Sequence, residues 1–450
     1  MKKESGATLA RALGLRDSLA IVIGSMIGTG IFLKTASMTQ ALGSPLWVLM
    51  AWLIAGILSL LGAMTYAELG ALFPEAGGGY VYIREAYGRL PAFLAGWVSF
   101  WIVFPGSIAA YAVATATFLG GALPVQHWSV PISISLIVGF AALNSLAVSF
   151  GGLVQSLITG IKVALILLLT ISIFRFTPEP MPLGLTGFSS LSVGWGAFGI
   201  ATLSALWAFD GWEAISRVAG EVYQPQRTLP FSLVIGIFTV IGLYAFLNIA
   251  YFWALPIGEI TNANSGAYPS ALPVATKAVM GFLPDTGVQV LSAVFVISTI
   301  GAMNGSILTS ARVPFAMAQD GLFFSYLSKV SPRTRVPVRA IWIQAGVASV
   351  LALSGTFDQL TNYVVFSAWI FYGLTGLTLF VFRRTRPNRP VGFRVPGYPF
   401  VPALFVFMAA VLVITTVLHS PMESVIGLGL ILAGVPVYYA LFSKSRQQQD

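Results

Sequence analysis

Three ionisable residues, Lys162, Asp210 and Glu213, lie within otherwise apolar runs of this 450-residue chain. Lys162 stands about ten residues into "GGLVQSLITGIKVALILLL", and an ionisable side chain at such a depth predicts a functional site. A buried lysine must pair with an acid, coordinate carbonyl oxygens or lose its proton. The alternative without function is a lysine whose long stem reaches the membrane surface.

A polar face on a later run offers partners for this lysine. In "VISTIGAMNGSILTSAR", Ser298 and Thr299 stand about one turn before Gly301 and Asn304. This face could meet the first apolar run and Lys162. We predict that Lys162, Ser298 and Thr299 form a coupling site, in which the ammonium either takes the place of a bound sodium ion or titrates and couples proton movement.

The first apolar run contains "IVIGSMIGTGIF", with three glycines among branched residues. Gly24 and Gly28 have the spacing of a helix-packing motif, but Gly30, Ser25 and Thr29 loosen the same turn. An unwound segment is tolerated in a bilayer only where it is buried in protein or lines a cavity. There the amides near Thr29 and Gly30, at a helix N-terminus, would form a site for a small anion such as an α-carboxylate.

A second interruption, "WAFDGWE", covers residues 207–213. Asp210 is either protonated, a cap for the following half-helix or a direct contact of the substrate. Carbonyls around Trp207 and Asp210 would suit an α-ammonium group, and Trp207 is the better candidate for a gate. The two interruptions supply the candidate substrate-binding residues, which are Ser25, Met26, Ile27, Gly28, Thr29, Gly30, Trp207, Ala208, Phe209, Asp210, Gly211 and Glu213.

The sequence contains none of the enzyme motifs considered below. His127 and His419 both fall in predicted outer loops, and there is no nucleophile elbow, Walker loop or zinc-protease motif. The chain has no cysteine, which excludes thiol chemistry and disulfides. We therefore predict no enzyme activity, no cofactor and no metal.

The composition is that of a polytopic membrane protein. Hydrophobic residues make up 57% of the chain and charged residues only 9%, against about 25% charged in soluble domains. Twelve apolar runs are long enough to span a bilayer, near residues 18–40, 45–72, 91–121, 130–149, 152–174, 193–217, 229–254, 287–317, 337–355, 360–382, 398–418 and 423–443.

The net charge of +9 follows the predicted topology. Of the 24 lysines and arginines, Lys162 lies within a span, and only Lys34, Arg175 and Lys277 fall on the outer side. This asymmetry predicts a cell-membrane protein, bacterial inner membrane by type, with both termini cytoplasmic. Basic residues there would contact the lipid bilayer, and no basic soluble module is present to bind nucleic acid.

Interruptions in the first and sixth runs predict an inverted repeat, because the two runs are five helices apart and an odd number of crossings reverses the orientation. The predicted fold is therefore all-α, with twelve transmembrane helices in a LeuT-type five-plus-five inverted repeat and two accessory helices. The predicted segments are a cytoplasmic N-terminus (1–17), repeat one (18–175), repeat two (193–382), the accessory pair (398–443) and a cytoplasmic C-terminus (444–450). Near the inner side, we expect Glu68 to anchor the "GGGY" loop.

Several motifs resemble the amino acid–polyamine–organocation superfamily, and within it the L-amino acid transporter-like bacterial permeases and exchangers. The resemblance rests on "YAELGALFPEAGGGYVYIREAYG" (66–88), "IGSMIGTGIF", "AFDGWEAISRVAGEVYQPQRTLP" (208–230) and "NGSILTSAR" (304–312), and it extends over almost the whole chain. It implies alternating access by a rocking bundle, with the substrate at the membrane midplane.

Residue by residue, the resemblance implies that a carboxylate meets the backbone at Thr29 and Gly30. The α-amino group would meet carbonyls at Met26, Trp207 and Asp210. Lys162 matches the lysine that this branch carries where sodium-coupled relatives hold an ion, with Ser298 beside it, which disfavours sodium coupling. Because the chain has no cysteine, it cannot form the disulfide to a partner subunit that animal members have.

The function predicted from the sequence is secondary transport of L-amino acids, neutral ones by expectation, by sodium-independent exchange or proton symport. Asp210 and Glu213 support an alternative within transport, a polyamine or cationic amino acid permease. A membrane sensor on a transporter scaffold is the alternative of another class, but such proteins usually add a soluble output domain. The sequence does not predict the preferred side chain or the oligomeric state.

Overall fold

A computed structural model describes residues 8–123, 126–182, 194–263, 273–354, 357–389, 391–419 and 421–442. In these ranges the protein is nearly all helical, and the β-structure is a single isolated parallel bridge between Leu13 and Val222. The predicted C-terminal tail and the first seven residues of the predicted N-terminal segment lie outside the described residues.

Nineteen α helices are present in the described part of the chain. The first ten are α1 (Leu15–Met26), α2 (Gly30–Leu42), α3 (Pro45–Leu72), α4 (Gly79–Tyr87), α5 (Arg89–Val98), α6 (Phe104–Ala122), α7 (Ser129–Asn144), α8 (Val148–Phe176), α9 (Trp195–Ala208) and α10 (Ala214–Arg217). The others are α11 (Pro225–Ala254), α12 (Ile257–Thr261), α13 (Val274–Met280), α14 (Gly287–Ser310), α15 (Arg312–Gln319), α16 (Val338–Ser354), α17 (Phe357–Thr385), α18 (Phe400–His419) and α19 (Pro421–Val437).

Eight helical segments of the described chain are long and apolar enough to cross a membrane, as a polytopic membrane protein requires. They are Leu15–Leu42, Pro45–Leu72, Arg89–Gly120, Val148–Phe176, Pro225–Ala254, Gly287–Gln319, Phe400–Leu418 and Ser424–Phe442. Three further apolar helices are shorter, namely Ser129–Asn144, Trp195–Ala208 and Val338–Leu353.

Helix α8 shows how the sequence orients a span. Its polar side chains, including Gln155, Thr159 and Lys162, are buried, while Leu157 and Leu168 are more than half exposed. At 29 residues it is about 43 Å long, enough to cross a bilayer. The side with exposed leucines suits lipid, so the polar side faces α1, and this orientation carries Lys162 into the protein interior.

The end of the bundle near the N-terminus is held by a buried ion pair. Arg312 Nε donates to Glu221 Oε1 at 2.7 Å, and both side chains are fully buried. The backbone carbonyl of Glu221 accepts the N–H groups of Ala12 and Leu13 at 2.9 Å each. The segment before α1 is thereby fixed to the loop that follows α10.

Glu68 does not anchor the glycine-rich loop, and that expectation was wrong. Its carboxylate accepts Arg383 Nη2 at 2.8 Å and the N–H of Val395 at 2.7 Å. Arg383 lies in the last turn of α17, and Val395 belongs to the basic connector that follows. The backbone donor of Val395 is distant in sequence and could not be predicted. The glycine-rich loop is instead fixed by the N–H of Gly77, which donates to the carbonyl of Arg217 at 2.9 Å.

Helix α4 joins the same connector through Glu85. Burial alone would raise the pKa of Glu85, but hydrogen bonds from Arg386 and Arg84 outweigh it, so the pKa lies below its ordinary value. An acid with a lowered pKa stabilises the folded protein at neutral pH, and this contribution is lost as the pH falls through its folded pKa.

We predict that Arg312→Met lowers the stability of the purified protein by about 3–5 kcal/mol, because it leaves Glu221 buried without a counter-charge. The double variant Arg312→Met, Glu221→Gln should recover part of this loss. The measurement is the apparent melting temperature in detergent, with the exposed Arg227→Met as control. A single variant as stable as this control would contradict the prediction.

Candidate functional site

The first membrane-spanning segment is interrupted between α1 and α2. Helix α1 ends at Met26, Ile27 is extended with φ −74° and ψ 91°, and α2 begins at Gly30. Every residue from Gly24 to Gly30 is buried. The interruption therefore leaves backbone carbonyls and amides without helical partners inside the protein, where each must be satisfied in another way.

Side chains from three helices satisfy the carbonyls at this interruption. Lys162 Nζ on α8 donates to the carbonyls of Gly24 at 2.9 Å and Ile27 at 2.7 Å. Ser298 Oγ on α14 lies 3.2 Å from the Ile27 carbonyl oxygen and 3.1 Å from that of Gly28. The Tyr244 hydroxyl on α11 donates to the Met26 carbonyl at 3.1 Å. Among the described residues, Lys162, which is 2% exposed, thus coordinates carbonyls rather than pairing with an acid.

Gly301 makes room for the lysine. A methyl group on Gly301 would lie 2.5 Å from Lys162 Cε and 2.8 Å from its Nζ, closer than non-bonded atoms approach. Gly301 is therefore required for the Lys162 side chain to fit. The sequence placed Gly301 on a polar face but did not predict this role.

The rest of that polar face does not meet α1 as expected. The Thr299 hydroxyl donates to the Phe295 carbonyl and accepts a hydrogen bond from Thr115 on α6 at 2.7 Å. Asn304 Nδ2 donates to Gln155 on α8 at 2.8 Å. The structure thus places Ser298 at Lys162 and turns Thr299 towards α6, because residues one position apart on a helix point about 100° away from each other.

The amides at the interruption have a different environment from the carbonyls. Among the described residues, the N–H groups of Gly28 and Thr29 have no hydrogen-bond acceptor, and Gly30 begins α2, where the first N–H groups have no partner in the helix. Thr29 is not a side-chain cap. The buried hydroxyl of Ser25 also has no partner in the described part of the chain. These donors can bind an anion.

The second interruption, between α9 and α10, faces the first one. A methyl group on Gly30 would lie 2.5 Å from Ala208 Cβ, and one on Gly211 would lie 3.0 Å from the Ser25 carbonyl oxygen. Gly211 has φ +98°, a backbone conformation that favours glycine. The Tyr244 hydroxyl also reaches the Ala208 carbonyl at 2.9 Å, so it bridges the two interruptions.

Asp210 is not the cap of α10. The N-cap position is Glu213, and no side chain caps this helix. Instead, Asp210 Oδ1 lies 3.2 Å from the Tyr372 hydroxyl of α17, which is also 2.7 Å from Glu213 Oε1. Arg217 forms an ion pair with the same Glu213 oxygen. The four polar residues make a connected group between the second interruption and α17.

A cavity of about 60 Å³ lies beside this group, lined in part by Tyr66, Gly79, Glu213, Arg217 and Tyr372. Glu213 Oε2 is buried and accepts no hydrogen bond from the described residues. The cavity is therefore a small, mostly apolar space next to an acid with a free acceptor.

The aromatic residues of the second interruption differ in how far they are buried. Trp207 is half-buried, and its carbonyl accepts the N–H of Asp210 at 3.2 Å. The Phe209 ring packs against Tyr244 at 5.0 Å between centroids, in the core. Trp212 is also core, with its ring 4.9 Å from that of Tyr66. Of these three aromatic side chains, Trp207 is the one with substantial exposure.

Three tyrosines near the interruptions were missed by the sequence reasoning. Tyr244 and Tyr372 bond the interruptions directly, and the Tyr111 ring would lie 3.4 Å from a methyl group on Gly28. All three stand inside apolar runs, where a buried phenol hydroxyl usually finds a partner. That signal was available in the sequence.

The chain is similar to known proteins over almost its whole length. A family model described as "Amino acid permease" matches residues 13–442. The chain is 30% identical to the human b(0,+)-type amino acid transporter 1 over 97% of this chain and 88% of that protein. It is 30% identical to the serine/threonine exchanger SteT of Bacillus subtilis (96% and 97%) and to the human cystine/glutamate transporter (96% and 85%).

We predict that Gly301→Ala destabilises the protein by about 1–3 kcal/mol, because its methyl group must displace the Lys162 side chain or Ile158. Gly160→Ala is the matched control, since a methyl group there has nothing within 4 Å. Thermal unfolding in detergent compares the two variants with the wild type. Equal melting temperatures for the two variants would show that Lys162 is not tightly enclosed.

Proposed function

The chain belongs to the amino acid permease family and is a transporter rather than an enzyme; from this premise we propose that it moves L-amino acids, mainly neutral ones, across the cytoplasmic membrane by alternating access. The observation that carries the proposal is the pairing of the two interruptions. Free amides at residues 28–30 favour a carboxylate, and carbonyls of the second interruption favour an ammonium group.

The proposed architecture is the LeuT-type inverted repeat with twelve spans. The three shorter apolar helices and α17 lie at the four predicted spans that the eight long apolar segments leave over. Interruptions in the first segment and after α9 fall at equivalent places of the proposed repeats, 18–175 and 193–382. The basic connectors support cytoplasmic termini for the chain.

The contacts of Lys162 support sodium independence. Its Nζ donates hydrogen bonds to the carbonyl oxygens of Gly24 and Ile27. These are hard oxygen ligands of the kind that a sodium ion would require. A tethered ammonium in this place serves as a fixed cation. Exchange or proton symport then remains as the mechanism.

The second candidate function is transport of cationic amino acids or polyamines. Glu213 Oε2 is buried without a partner beside the cavity, and Asp210 lies in the same connected group. Arg217 opposes this alternative because it already neutralises Glu213. The chain has no cysteine, so we propose that it works without a disulfide-linked subunit.

We predict that proteoliposomes containing the purified protein take up radiolabelled L-amino acids, neutral ones faster than arginine or putrescine. Uptake should be the same with external sodium or potassium. Comparing vesicles with and without internal amino acid separates exchange from symport. Failure to take up any amino acid under any gradient would refute the proposal, and faster uptake of arginine or putrescine would favour the second candidate.

We predict that Lys162→Ala abolishes uptake, because the carbonyls of Gly24 and Ile27 lose their donor and the interruption loses its cation. The exposed Lys329→Ala is the matched control and should transport normally. Size-exclusion profiles show whether each variant is folded. Normal transport by folded Lys162→Ala would contradict the assigned role of Lys162.

A further inference from the structure

One phenol hydroxyl lies between two carboxyl groups. The Tyr372 oxygen is 2.7 Å from Glu213 Oε1 and 3.2 Å from Asp210 Oδ1. The two acids belong to the second interruption, whereas Tyr372 belongs to α17. A hydroxyl has a single proton and can donate it to one acceptor at a time. The Tyr372 hydroxyl can therefore donate to one of the two acids, and a hydrogen bond with the other acid needs a proton on that acid.

Glu213 is the acceptor that receives the tyrosine proton. It is the nearer acid, and Arg217 forms an ion pair with the same oxygen, which favours the ionised carboxylate. Asp210 Oδ1 then faces a lone pair of the Tyr372 oxygen. An ionised carboxylate has no proton to offer, so two acceptors would meet; a protonated Asp210 instead donates to Tyr372.

The charges around the site lead to the same assignment. The groups that face Asp210 are Tyr372 on α17, Tyr111 on α6, and Glu213 and Arg217 from α10 and its N-cap. Arg217 is the formal cation among these described groups, and it pairs with Glu213. An ionised Asp210, which is partly exposed, would therefore be a second negative charge beside Glu213 without a cation of its own among these groups, and neighbouring like charges favour the protonated form of one acid.

We propose that Asp210 holds a dissociable proton in this conformation and that Asp210, rather than Lys162, carries the proton of a proton-coupled transport step. The coupling role rests on the proposed function. When α17 separates from the second interruption, the Asp210 O–H bond breaks, the proton passes to water and a carboxylate remains. Rebinding a proton from water restores the contact with Tyr372.

Infrared spectroscopy of the purified protein tests the proton directly and needs no transport activity. The C=O stretch of a protonated carboxyl group lies at a higher frequency than the bands of a carboxylate or an amide. We expect this band in the wild type at neutral pH and its loss in Asp210→Asn, whose amide can still donate to Tyr372. The control Glu259→Gln, at an exposed acid, should keep the band. Identical wild-type and Asp210→Asn spectra would overturn the assignment.

Proteoliposomes with an internal pH dye test the coupling role, using the amino acid that the wild type takes up fastest. We expect about one proton to enter with each amino acid in the wild type and none in Asp210→Asn. Wild-type uptake without proton movement would overturn the coupling role while leaving the proposed function intact. If the wild type took up no amino acid, the proposed function and the coupling role would both fail. The infrared spectra would still show whether Asp210 is protonated.

Discussion

The interior of a membrane protein does not tolerate unpaired backbone groups, and this constraint governs the whole structure. An uninterrupted helix would satisfy every carbonyl and amide of the first span by itself. Here the helix is interrupted between Met26 and Gly30, so donors have to be supplied from elsewhere. Lys162, Ser298 and Tyr244 supply them to the carbonyls, from three different helices. The amides are left for another ligand.

This division between carbonyls and amides gives the interruption a polarity that no side chain of α1 or α2 provides. The carbonyl side is occupied by permanent protein donors, one of which is the amine of Lys162. The amide side of Gly28 and Thr29 remains free among the described residues. Under the proposed function, a site made in this way would recognise the charged groups common to all amino acids, while the preferred side chain would depend on the surrounding helices.

The sequence predicted the elements of this arrangement better than their contacts. Glycines in an apolar run revealed the interruption, and the depth of Lys162 identified it as a special residue, because both signals are local. The contacts of Thr299, Asp210 and Glu68 were not predictable in the same way, since they depend on the rotation of helices about their axes. Tyr244 lies 218 residues from the Met26 carbonyl that it bonds, and one sequence contains no signal that joins these two positions.

The bridging hydroxyl of Tyr244 has a mechanical consequence. It lies 3.1 Å from the Met26 carbonyl oxygen and 2.9 Å from that of Ala208, but it has one proton to share between them. Strengthening the bond to one carbonyl weakens the bond to the other. A displacement of either interruption therefore changes the hydrogen bond that this hydroxyl makes to the other one, in addition to the direct packing of Gly30 against Ala208.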